Sequence, residues 1–150
     1  MVTLGGRLVW AARTELALSR GDPRLALEIV NQMMAASAYS EKDVAVRLWM
    51  LSAEAFLALA EIQADPAERQ SSLKSAEKYL ITVQAETRAL NYRSKMGQIH
   101  LSLVKLYRLQ NRLAESEAER QNARNFVLEL AGTITDQELR RQYIDRALAV

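Results

Sequence analysis

The chain has 150 residues, 49% of them hydrophobic and 25% charged, an ordinary balance for one globular domain's worth of sequence. Its formal net charge is +2, and residues 76–150 carry twelve Lys/Arg against nine Asp/Glu, a net of +3 that is too small to identify a phosphate-binding surface. The absence of cysteine excludes a disulfide framework, a thiol nucleophile and thiolate metal sites, and the longest uncharged stretch, the 12 residues from Ile29 to Ser40, is too short and too polar to span a bilayer.

Arg7, Arg13 and Glu15 interrupt any apolar run near Leu8-Val9-Trp10, so the N-terminus does not read as a signal peptide. A soluble, cytoplasmic protein is expected, with no membrane partner and no direct nucleic-acid contacts. Two prolines and five glycines are few and are expected at element boundaries, which favours long helices over strands and turns. The fold class is all-α.

The first helix is predicted from about Leu4 or Arg7 to Arg20, stopped by Gly21, the usual residue past a helix end. Asp22 caps the second, which opens on Pro23 and buries Ala26, Val30 and Met33. A turn follows around Ala38–Ser40, with Ser40 and Asp43 as the next cap pattern, so the first hairpin spans about 4–37. The third helix, about 41–64, has two apolar stripes: Val44, Leu48, Leu51, Ala55, Ala58 and Ile62, and beside it Trp49, Ala53, Phe56 and Ala60. Two adjacent stripes predict neighbours on two sides.

Asp65, Pro66 and Glu68 open the fourth helix, whose first turns are polar and expected to be irregular. Its core face is Leu73, Ala76, Leu80, Val83, Thr87 and Leu90, so the second hairpin spans about 41–90. Asn91 is the expected cap of the fifth helix, with stripes Met96-Ile99-Leu103-Leu106 and His100-Val104-Tyr107. The sixth, about 112–131, has a polar first half and an apolar second half and ends at Gly132, giving a third hairpin over about 92–131. Thr135 to Glu138 form a capping box, followed by a capping helix over about 136–148 with Leu139, Tyr143 and Ala147 as its stripe.

Asp22-Pro23 and Asp65-Pro66 lie 43 residues apart (65 − 22), and Asn111-Arg112 follows after a similar interval. Periods of about 33–47 residues mark helical-repeat arrays, and three repeats are the minimum for stability. Within that frame, Trp10 … Gly21-Asp22-Pro23 … Ala26-Leu27 sets a large aromatic of a first helix before a glycine-acid turn and a small residue of a second. Trp49, Ala53 and Phe56 repeat the first-helix part, and Tyr107 with Asn111-Arg112-Leu113 repeats its end. These residues resemble tetratricopeptide (TPR) repeats, with longer hairpins, His100 where a Trp is usual and Ser116 in place of the small Ala.

The segment Ala123-Arg124 … Leu130-Ala131 … Ile134 … Asp136 … Leu139-Arg140 … Ala147 resembles the C-terminal end of TPR regions in large bacterial signalling ATPases and transcriptional activators. The resemblance implies a TPR-like α-α superhelix of three long hairpins plus a capping helix, about seven helices in one domain over residues 1–150. It also implies that the chain is a piece or a detached relative of a larger regulator. In such arrays the first helix of each hairpin lines a groove, which places Glu15, Arg47, Glu54, Gln98, Lys105 and Arg108 toward a bound partner.

Chemistry is not visible. Gly5-Gly6 is not followed by Gly-Lys-Ser/Thr, so there is no phosphate loop. His100 is the single histidine, and its stripe position suggests packing rather than catalysis. Glu115, Glu117 and Glu119 are spaced by two and fall on different sides of a helix, as a solvated face does. Arg140, Arg141 and Arg146 read as cations complementing helix termini, and Met33, Met34 and Met50 as gap-filling core. The expectation is a non-enzymatic protein-interaction scaffold without cofactor or metal, binding a protein or peptide segment and compatible with homo-oligomers. The alternative is a domain whose groove senses a small effector for an attached ATPase or DNA-binding module.

Overall fold

Seven α-helices and no strand form among the residues that the computed structural model describes, 4–36 and 42–149. They divide into two compact units, Met1–Leu90 and Asn91–Val150. The first two hairpins fall in one unit, and the third hairpin with the last helix in the other. No helix among the described residues is long and apolar enough to cross a membrane.

In the first unit, α1 (Leu4–Ser19) and α2 (Pro23–Ala36) meet at a Schellman turn. Gly21 takes φ +74°, the N–H of Asp22 donates to Ala17 O at 2.9 Å, and that of Gly21 to Leu18 O at 3.0 Å. Asp22 then accepts the Leu25 N–H at 3.0 Å, so one residue ends the first helix and the next caps the second. Ala26, Val30 and Met33 are buried as expected. The expected turn at 38–40, Ser40 included, lies outside the described residues, and Asp43 falls within α3 (Lys42–Ile62) rather than before it.

Helix α3 packs against α1 and α2 on one side and α4 (Pro66–Ala89) on the other, the two-sided contact its twin stripes require. Leu48, Leu51, Ala53, Ala55 and Ala60 are buried, whereas Trp49 and Phe56 are half-buried. Ile62 departs from its expected core place and is 60% exposed. Ala55 packs with Ala17, Ala26 and Ile29 beside the Gly21 turn. Ile62 is seven residues, about 10 Å, further along, beyond the end of the shorter first hairpin. Phe56 stacks on Tyr79 at 6.0 Å, and Ser72 Oγ donates to Gln63 Oε1 at 2.7 Å; the constant sum of those residue numbers is the register of an antiparallel pair. Helix α4 is regular from Pro66, not irregular, because Asp65 accepts the Ala67 N–H at 2.9 Å and seeds the first turn. Leu73, Ala76, Leu80, Val83 and Thr87 are buried, and Leu90 forms the C-cap, half-buried.

The second unit consists of α5 (Arg93–Leu109), α6 (Leu113–Ala131) and α7 (Gln137–Leu148). Asn91 is not the cap of α5; it takes φ +55° just past the end of α4, and Tyr92 occupies the cap position without a side-chain hydrogen bond to the first turn. Asn tolerates the left-handed region and so serves the preceding helix's end. Asn111, at φ +59°, does the same after α5, where Asn111 and Arg112 donate to Arg108 O and Tyr107 O in a second Schellman turn. Ile99, Leu103 and Leu106 are buried, and Met96 is half-buried. Gly97 sits inside α5 rather than at a boundary, where an added Cβ would lie 3.3 Å from Phe126 Cδ1. Before α7 the cap falls one residue later than the capping box predicts: Asp136, not Thr135, accepts the Leu139 N–H at 2.9 Å. Leu139 is 59% exposed, and α7 buries no residue fully.

Candidate functional site

Polar side chains on the first helices of the hairpins are the residues to place. In the first unit, α1 packs directly on α3 as well as on α2. Glu15 and Arg47 meet across that α1–α3 line, with Arg47 Nη2 donating to Glu15 Oε1 at 3.0 Å. Their side chains are 54% and 45% exposed, so the bridge is solvent-screened and contributes about 0–1 kcal/mol. Glu54 is half-buried and lies seven residues, two helical turns, from Arg47 on the same face of α3.

In the second unit, Gln98, Lys105 and Arg108 are exposed and share one face of α5, since they are spaced by seven and three. Glu15 and Arg47 are committed to each other.

Beneath Arg47, an apolar cavity of about 180 Å³ opens between α1, α2 and α3, lined by Leu8, Ala11, Met33, Val44 and Leu51 among others. That is below the roughly 300–1,000 Å³ of ligand pockets. Met33 and Met50 are buried, as gap-filling core residues should be, and Met34 packs at the edge of the same cluster.

His100 is 7% exposed, and its Nδ1 lies 2.6 Å from Glu119 Oε2 on the facing helix. Against a carboxylate the ring nitrogen carries the proton and donates. The other two glutamates of the 115–119 series are engaged separately: Glu115 with Arg112, and Glu117 with Arg120 at 3.3 Å. No group of three metal-ligating side chains converges among the described residues. Arg112 Nε donates to Glu115 Oε2 at 2.6 Å, and its guanidinium lies over the Tyr107 ring at 4.3 Å. The hydrogen bond from Arg112, reinforced by its charge, holds the Glu115 carboxyl below the usual glutamate range. Ser116 is buried and donates to Val104 O at 3.1 Å, so the hydroxyl that replaces a small Ala is satisfied.

Sequence reasoning missed a trough in the second unit. Helices α5 and α7 each pack on α6 and not on each other, leaving a cleft of about 380 Å³ above α6. Arg120 and Arg124 from α6 and Arg146 from α7 line it. The visible signal was the i, i+4 spacing of Arg120 and Arg124 in and beside the polar first half of the sixth helix. Of the other basic residues on α7, Arg140 is tied down, donating from Nε to Ile134 O at 2.9 Å, and Arg141 pairs with Glu138 at 3.2 Å.

No protein-family model matches the chain, and neither a curated protein nor a solved structure is similar to it.

Proposed function

We propose that the chain is a non-enzymatic, TPR-like interaction module of the cytoplasm that holds a protein segment on the exposed faces of its first helices, as part of a bacterial signalling or transcription regulator. The observation that carries this reading is the direct α1–α3 packing bridged by Glu15 and Arg47 on a shared exposed face. Neighbouring first helices side by side, each backed by its second helix, are what a repeat scaffold uses to present a continuous polar surface. The small apolar cavity under Arg47 is too tight for a typical ligand and fits packing rather than an enclosed active site.

Affinity capture from source-cell extract at physiological salt, with the native chain and the variants R47A/E54A and K105A/R108A, tests this. A discrete set of proteins retained by the native chain and lost with at least one of the variants supports the reading. No retained protein, or retention indifferent to both variants, opposes it.

A further inference from the structure

We propose that the trough between α5 and α7 is a binding site for a small anionic amphiphile, an aliphatic chain ending in a carboxylate or phosphate. This goes beyond the interaction surface above and does not depend on it.

The trough exists because the backbones of α5 and α7 do not approach each other closely and its floor residues are small. Ala123 is buried at its base, and Ala147 across from it leaves the space that a larger side chain would fill. Val127, Leu148 and the 39%-exposed Leu101 add aliphatic surface. A volume of about 380 Å³ lies within the roughly 300–1,000 Å³ of small-ligand pockets.

Charge selects the ligand's other end. Three arginines line the trough and no acidic residue does. Arg124 and Arg146 have no acidic partner among the described residues. Arg120 is shared only with Glu117, in a pair whose side chains are 63% and 68% exposed, a contact water already competes for. Guanidinium forks match carboxylate and phosphate oxygens bidentately. No aromatic side chain lines the trough, so it offers no platform for stacking bases, which disfavours single-stranded nucleic acid as the anion.

Calorimetric titration of the full chain with decanoate and with decyl phosphate, both below aggregation, tests the site. Stoichiometric binding by either is expected, with decanol, acetate and decylammonium weaker by about tenfold or more. R124E/R146E should lose about tenfold or more in affinity with its helical circular dichroism unchanged, and A147F should block binding while keeping all three arginines. Vesicles of phosphatidylcholine with phosphatidylglycerol separate a free ligand from a lipid headgroup. Retention on those vesicles without binding of the free amphiphiles overturns the proposal. So does undiminished binding by A147F or R124E/R146E, or an oligothymidylate that binds more tightly than decanoate.

Discussion

His100 on α5 and Glu119 on α6 form a nearly buried pair, 2.6 Å from Nδ1 to Oε2, with side chains 9% and 17% exposed. It ties the two helices together midway along the hairpin. Three residues further from the turn on α5, Gly97 meets Phe126. Toward the turn, Ser116 reaches Val104 O.

Removing either partner leaves a desolvated polar group without its bond. Glu119→Ala should therefore destabilise the second unit by about 1–3 kcal/mol in denaturant unfolding. Adding His100→Ala should cost less than the sum of the two single changes. Strict additivity would mean that the contact contributes nothing.

Asn111 and Gly21 end their helices in the left-handed region, at φ +59° and +74°. A Cβ-bearing residue without a local polar group pays about 1–2 kcal/mol there. Asn111→Ala and Gly21→Ala should each lower stability by about that amount, whereas Asn111→Gly should be neutral or stabilising. Equal melting of Asn111→Ala and Asn111→Gly would contradict the turn geometry.

Glu115 titrates low because Arg112 hydrogen-bonds its ionised form. A carboxyl depressed on folding contributes stability above its unfolded pKa, and that contribution is lost as pH falls through the folded value. The first turn of α6 should thus loosen only in the acid range. Carbon-13 NMR should show the Glu115 carboxyl titrating below the ordinary glutamate range, and Arg112→Ala should raise it. An unchanged midpoint in Arg112→Ala would refute the pairing.

Leu80 is fully buried in α4, whereas Trp49 on α3 is only half-buried. Leu80→Ala should cost about 3–5 kcal/mol, including the cavity left behind. Trp49→Ala should cost less, despite the larger side chain, because much of its surface already meets water. The reverse ranking would place Trp49 in the core after all.

Helix number, type and most core faces were legible because the apolar residues recur with helical spacing and Gly21, Asp22, Asp65 and Asp136 punctuate the chain. Asn91 was misread because asparagine suits both an N-cap and a left-handed helix end, and local sequence does not choose between them. Thr135 and Asp136 are adjacent and both able to cap, and the carboxylate prevails. Ile62 belongs by period to the stripe of Ala55, but the end of the first hairpin, a tertiary property, decides its exposure. The Glu15–Arg47 bridge and the arginine-lined trough arise from which helices touch and which do not. Residues 15 and 47, or 124 and 146, carry no mark of that in the sequence.

Site-specific photo-crosslinking in source cells tests the interaction reading most directly. A benzophenone side chain would be placed at 54, 105 or 108, and as controls at Glu28 on α2 and Glu117 on α6. Protein adducts at one or more of 54, 105 and 108, and none at the two control positions, are the expected result. Adducts at the controls alone, or at none of the five sites, would contradict a partner held by the first helices.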